Sequence, residues 1–197
     1  LADIFLEGHQ QQAHELLDEA LSEPGMTPDV PGYVAIAAMM AKTEMRMNND
    51  ARAVELADEA LKIAGRSEDE ATTLDLLTTR AVALTNMGRT TEAIAILTGV
   101  LERARRRGHP RVAGRAAINL SYSLAPDDPA TAFAVASAGL EEAKREGEII
   151  GVRYLVGNAG GAAFSIGEWD WAMEQTRDLE GLLVEPAEIL WSEQIRG

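Results

Sequence analysis

The chain has no cysteine, and its 197 residues include only 3 histidines, 3 tryptophans, 3 tyrosines and 3 phenylalanines. Without cysteine there is neither a disulfide framework nor a thiolate metal site. With aromatics at 5%, a core has to be assembled from small aliphatic side chains, which suits helices whose axes approach closely. Cations are the minority charge: 18 Lys and Arg stand against 32 Asp and Glu, for a net charge of −14. Gripping phosphate takes clustered Lys and Arg, so the balance disfavours nucleic-acid binding by this segment and docking on anionic membranes. The longest uninterrupted apolar run, 33–41, is far too short to cross a bilayer. No secretory leader pattern opens the chain, and the reading is a cytoplasmic protein. No period-two alternation bounded by turn residues occurs, so no strand is expected. The first residues, Leu1 to Glu7, read as the last turns of a helix, which suggests a segment of a longer chain.

What is present is helix after helix. Apolar residues make up 46% and charged residues 25%, the composition of an ordinary folded protein. Apolar positions recur at three-four spacing and predict helices over 10–21, 33–47, 51–64, 67–87, 90–107, 111–124, 131–146, 148–166 and 168–183, with a further one begun at 186–196. Asp50 and Ser67 are the expected N-caps of the third and fourth. Asp128 followed by Pro129 at the first helical position is a strong start signal for the seventh.

The pattern repeats. The alanines that open alternate apolar stripes are Ala13, Ala53, Ala93, Ala132 and Ala172, at spacings of 40, 40, 39 and 40 residues. Five positions before each lies a turn residue: Gly8, Asn48, Gly88, Asp127 and Gly167. These types tolerate a left-handed backbone best. Further marks follow at Ala20 with Leu21, Ala60 with Leu61, Val100 with Leu101, Gly139 with Leu140, and Leu179. A two-helix unit with a period near 40 is the signature of an α-solenoid. The expected fold is all-α, a right-handed solenoid of about five helix-turn-helix repeats. They would fall roughly at 1–25, 30–66, 67–108, 109–147 and 148–185, with a partial repeat after them, all in one domain over 1–197.

The chain thereby resembles the tetratricopeptide repeat (TPR) family. Gly160, Gly167, Ala172 and Leu179 carry the likeness in the clearest unit, and Ala81, Gly88, Ala93, Val100 and Leu101 in the third. It departs from that family in its longer period, its scarcity of unit-ending prolines, and Leu120 where a small residue is expected. The long, alanine- and arginine-rich repeat is similar to the helical arrays of bacterial LuxR-type activators, signalling ATPases and cyclase-linked regulators. The resemblance implies a sensor or protein-docking segment beside separate effector domains.

No catalytic constellation converges. His9 and His14 are five apart, which does not put both on one helical face, and His109 stands alone. Asp58 with Glu59, and Glu141 with Glu142, are neighbours that diverge on a helix. Gly157, Gly160 and Gly161 lack the spacing, the preceding strand and the Lys-Ser/Thr of a phosphate loop, and read as close helix packing. Ser121 and Ser123 have no nucleophile context. Arg105, Arg106 and Arg107 complement a helix C-terminus. The reading is therefore non-enzymatic, with no cofactor and no metal.

The positive hypothesis is a binding surface. The resemblance implies that first helices line a concave face. That face would carry Ala38, Lys42, Met45 and Arg46 in the second unit, and Thr78, Val82, Thr85 and Asn86 in the third. Ala117, Ser121 and Leu124 would follow in the fourth, and Tyr154, Asn158, Gly161 and Phe164 in the fifth. Trp169 is expected to pack across its turn; Trp171 falls on a different face and is a candidate exposed contact, although a partly buried structural tryptophan is the favoured alternative. Two functions fit: a protein-protein interaction scaffold within a bacterial transcription or signalling protein, or a small-molecule-sensing array controlling an attached ATPase or DNA-binding domain. Partners would be a protein, a peptide or other domains of the same chain. The repeat ends offer a route to a homo-oligomer.

Overall fold

A computed structural model describes residues 10–30, 32–64 and 69–178, the last three by backbone alone. Among them are nine helices and no strand. They are α1 (Gln10–Ser22), α2 (Tyr33–Arg46), α3 (Asp50–Ala64), α4 (Glu70–Asn86), α5 (Thr90–Arg107), α6 (Pro110–Leu124), α7 (Pro129–Glu146), α8 (Ile149–Ile166) and α9 (Trp169–Asp178). Where a helix end is bounded by described residues, it falls within a few residues of the expected one; the expected continuation of α9 over 179–183 lies outside the described residues. The expected segments 1–7 and 186–196, the Gly8 turn, Ser67 and Leu179 lie outside the described residues. The chain divides into two compact units, Leu1–Ile96 and Leu97–Gly197, with the division inside α5.

One turn design recurs. At the ends of α2, α4, α5, α7 and α8 the residue two or three past the helix sends its N–H back five positions. These bonds are Asn49 to Glu44 O (2.9 Å), Arg89 to Leu84 O (2.8 Å), His109 to Ala104 O (3.0 Å), Glu148 to Ala143 O (3.0 Å) and Glu168 to Ala163 O (2.9 Å). The residue before each is left-handed: Asn48, Gly88, Gly108, Gly147 and Gly167, at φ of 62°, 80°, 72°, 70° and 85°. This is the Schellman closure, which satisfies carbonyls that a helix end leaves open. Asp127 departs from the expectation: it is absent from the positive-φ residues. There the chain stays right-handed through Ala125, and the Asp128 N–H returns to Leu124 O at 2.8 Å. Pro129 is the reason, since it biases Asp128 toward extended backbone (φ −141°) and so sets the helix entry itself.

The carbonyl after each turn then starts the next helix. Ala53, Ala93, Ala132 and Ala172 donate to Asn49, Arg89, Asp128 and Glu168, and all four are at most 1% exposed. Two caps differ from expectation. Asp50 is the first helical residue rather than the cap of α3, and its carboxylate accepts from Asn86 Nδ2 at 2.9 Å. The cap of α4 is Asp69, which accepts the Thr72 N–H at 3.1 Å.

The core of the first unit gathers Leu17, Met40, Ala41, Leu56, Ala57 and Leu76. Its buried threonines do not strand a hydroxyl: Thr43, Thr78 and Thr79 donate to the carbonyls of Met39, Leu74 and Asp75 one turn back. Arg80 on α4 ties α3 to the start of α5, donating to Asp58 at 2.7 Å and Glu92 at 3.1 Å. Burial opposes the guanidinium charge, but the two carboxylates outweigh it and hold its pKa above the ordinary value. Arg80 and then Arg89 hold the Glu92 carboxyl below the usual range.

In the second unit, Leu97, Leu140, Leu155 and Val156 are buried. Gly139 on α7 lies where a Cβ would meet Ala117 Cβ at 3.0 Å and Leu155 Cδ2 at 3.2 Å. Small residues there let α7 sit between α6 and α8. By length and mean hydropathy, α8 is long and apolar enough to cross a membrane. In the fold, however, Val152, Leu155, Val156, Ala159, Ala162 and Ala163 on one side of it are buried.

Candidate functional site

The outward side of α8 is unusual. Positions 150, 154, 157, 161 and 164 form one stripe, at the i, i+4, i+7, i+11, i+14 spacing of a single helix face. Ile150, Tyr154 and Phe164 on it are 43%, 60% and 57% exposed. Between the two aromatics lie Gly157 and Gly161, where a Cβ would meet nothing within 4 Å. This corrects the expectation that these two glycines serve close packing; of the three, Gly160 is the buried one. The two aromatic residues are about 15 Å apart along the axis, by the rise of 1.5 Å per residue. The result is an apolar helix face with a two-glycine notch in its middle.

Neighbouring groups extend this face. Trp169, at the start of α9, is 62% exposed. It reaches back over the turn as expected: its Nε1 donates to Phe164 O at 3.2 Å, and its ring lies 6.4 Å from the Phe164 ring at a 35° tilt. On the other flank, α6 runs beside α8 in the same direction. Arg111, near the start of α6, lies 3.8 Å from Glu148 just before α8. Midway along, Asn158 Nδ2 donates to Ile118 O at 2.8 Å and Ser121 Oγ at 2.9 Å. Asn158 is thus a strut between first helices of successive repeats rather than an idle polar group. Gly114 on α6 also has nothing within 4 Å of a Cβ.

Other expected surface residues are placed differently. Thr78 is fully buried and bonded within its own helix, so it does not line a surface. Ala38, Ala117 and Ser121 are buried too. A helix face set by three-four spacing includes the flank that touches the neighbouring helix, and these four residues occupy that flank. Lys42 is paired with Asp75 at 2.7 Å, and Asn86 with Asp50. Met45, Val82, Thr85 and Leu124 are half-buried, and Arg46 is exposed. Trp171 is not the exposed contact: it is half-buried, edge-on to Phe133 of α7 with ring centroids 5.0 Å apart and planes at 89°.

The periodicity reading missed Glu44. This carboxylate is 7% exposed and accepts from His14 Nε2 at 3.1 Å and Asn49 Nδ2 at 2.8 Å. It joins α1 to the turn after α2. Its charge hid it, because a carboxylate on a helix ordinarily marks a solvated face. A shallow charged depression borders it, lined by Glu44, Asn48, Asn49, Asp50, Ala51 and Arg52. Among the described residues no group of three His, Asp or Glu side chains is placed to hold a metal ion. His109 precedes α6 without a side-chain capping bond. Residue His9 lies outside the described residues.

No protein-family model matches the sequence, and no curated protein matches it. Solved structures do match. A Rap protein complexed with competence and sporulation factor superposes with a TM-score of 0.80 at 17% identity over 98% of this chain, which spans 53% of that protein. BtubC from P. vanneervenii matches with a TM-score of 0.71 at 15% identity, covering 95% of this chain and 80% of that one. A putative kinesin light chain from Podosopora anserina with nearly identical TPR-like repeats matches at 0.66 and 17% identity, covering 92% and 90%. At such identities the likeness speaks to fold alone: the chain is an all-α array of TPR-like helical repeats.

Proposed function

We propose that the chain is a non-enzymatic docking module that takes a protein or peptide segment along its first-helix face in the second unit. The observation that carries this reading is the stripe of exposed apolar side chains on α8, Ile150, Tyr154 and Phe164, continued by Trp169. Exposed aromatic residues gathered on one rigid element are the composition of a contact patch, and the two largest residue types there are those that dominate binding energy. A repeat fold supplies such extended surfaces. The solved complex of a Rap protein with competence and sporulation factor shows a partner bound by a protein of related fold.

Within this reading the module belongs to a bacterial regulatory protein of the cytoplasm, where docking would inform an attached effector domain. Support for that setting is the resemblance of the long alanine- and arginine-rich repeat. An extended open face favours a chain-like partner over a small metabolite, which needs a concave enclosure.

The test is selection of peptides from a displayed random library against the whole chain. Tyr154→Ala with Phe164→Ala should weaken the selected peptides about tenfold or more while circular dichroism remains unchanged. Peptides indifferent to both substitutions would place docking elsewhere. A metabolite that raises the melting temperature without any selected peptide would favour the sensor reading.

A further inference from the structure

Every exposed aromatic residue among the described ones borders one trough. Tyr154 and Phe164 stand on α8, Trp169 follows at the start of α9, and the fourth is Tyr122 of α6, 64% exposed. Positions 111, 115, 118 and 122 of α6 repeat the 150, 154, 157 and 161 stripe of α8 at an offset of 39 residues, so the two stripes share one open side. The Asn158 strut to Ile118 O and Ser121 Oγ fixes their register. It sets Tyr122 about level with Gly161, across the trough from the notch, and about 10 Å along the axes from Tyr154. The trough thus has open glycine backbone at Gly157 and Gly161. Tyr122, Tyr154 and the Phe164–Trp169 pair surround it.

Charge narrows the choice of occupant. Arg111 is paired with Glu148 at 3.8 Å, and Arg115 and Arg153 each engage a partner already. Neither α6 nor α8 contains a carboxylate. An acidic segment finds no uncommitted cation on these helices and meets a molecule of net charge −14. A basic segment finds no carboxylate on either helix to pair with. A second copy brings the same net negative charge against the first. The occupant that matches this face is uncharged. The polar groups that the rings present are the hydroxyls of Tyr122 and Tyr154, since Trp169 Nε1 is already engaged by Phe164 O. A helical partner closes its carbonyls internally and leaves these donors idle. A polyproline II segment has no internal hydrogen bonds, so its carbonyls stay open to them. Its turn of three residues at 3.1 Å rises about 9 Å, close to the spacing of the two tyrosines, and aromatic-lined grooves are the surfaces on which proline rings dock.

We propose that the trough between α6 and α8 takes an uncharged proline-rich segment in the polyproline II conformation. The segment runs along the helix axes, accepts hydrogen bonds from Tyr122 and Tyr154, and seats its rings over Gly157 and Gly161. This rests on the docking reading above and adds the partner's chemistry and conformation.

The probe is a short end-blocked peptide of repeated Pro-Pro-Leu carrying a fluorophore, titrated with the whole chain and followed by anisotropy. It should bind, with less than about twofold change between low and physiological salt. The Gly-Gly-Leu counterpart, which lacks the pre-set backbone, should bind about tenfold more weakly or worse. Tyr122→Phe and Tyr154→Phe keep the rings and remove the hydroxyls, and each should weaken binding about fivefold. Gly161→Leu should abolish binding without lowering the melting temperature, since its side chain enters open space; Gly161→Ala checks the fold independently. Equal binding of the two peptides, or indifference to both Tyr→Phe substitutions, overturns the proline-rich assignment. So does failure of Pro-Pro-Leu to bind while a displayed library yields charged or helical peptides that Tyr154→Ala with Phe164→Ala weakens; docking then stands. Binding of every peptide that is indifferent to Gly161→Leu, Tyr154→Ala and Phe164→Ala, or no binding by any peptide, overturns docking on this face itself. A concentration-dependent dimer by light scattering that Gly161→Leu abolishes, with no peptide bound, makes the occupant a second copy and also overturns the proposal.

Discussion

Two glycines on consecutive helices hold opposite jobs. Gly139 on α7 has the Ala117 methyl 3.0 Å from where its own Cβ would be, while Gly161 on α8 faces open space. In a helix interior alanine is better than glycine by about 1 kcal/mol. At Gly139 this gain is outweighed by overpacking, which costs about 1–3 kcal/mol. Ala117 Cβ is fixed to a backbone and cannot swing aside. Urea titration should find Gly139→Ala less stable by about 1 kcal/mol and Gly161→Ala more stable by up to about 1 kcal/mol. Equal effects would mean that the approach of α6 and α7 is looser than the geometry states. Asp128 gives a pH-dependent counterpart. The Thr131 hydroxyl and then its backbone N–H hold the Asp128 carboxyl below the usual aspartate range. A depressed folded pKa stabilises above the unfolded value and loses that stabilisation as pH falls through the folded one. The melting-temperature gap between wild type and Asp128→Ala should therefore be full at neutral pH and close below about pH 4.

Helix ends are where the elements are decided. Five of the described turns share one backbone closure, and four of its left-handed positions are glycine. Alanine at such a position costs about 1–2 kcal/mol. Gly88→Ala and Gly167→Ala should each lower stability in thermal melts by that amount, although a Cβ at either meets no neighbour. An unchanged melt would show that another backbone route is available there. These turns were legible in the sequence because they obey local chemistry: a left-handed residue, then a carbonyl that opens the next helix. Asp127 was not, since the pull of Pro129 on its predecessor replaced the expected closure. The aromatic pair at the start of α9 shows the same limit. Trp169 folding back over Gly167 is a local contact and was foreseeable. The partner of the half-buried Trp171, Phe133, lies 38 positions away and was not.

At the scale of the whole molecule, the net charge of −14 sets a self-repulsion that compaction must overcome. Salt screens it, with a Debye length near 30 Å at about 0.01 M falling to about 8 Å at 0.15 M. The melting temperature should rise with sodium chloride over that range. The half-buried Arg80 bridge to Asp58 and Glu92 is screened less than the exposed excess of carboxylates, so it does not reverse the sign. A fall in melting temperature would mean that ion pairs outweigh the net repulsion.

By itself, the sequence determined the class, the period and the punctuation of this protein. The alanines at 13, 53, 93, 132 and 172 and the turns before them are local, repeated signals, and a helix closes its hydrogen bonds within a few residues. Tertiary structure alone decided which flank of each helix stays open. A three-four stripe marks a face but does not say whether a neighbour covers it. Thr78 and Ser121 are therefore buried where a surface was expected, Glu44 is buried despite its charge, and Gly157 and Gly161 are open where packing was expected. Exposure depends on residues about 40 positions away, one repeat along, and the distance between helices is fixed only when all their side chains pack at once.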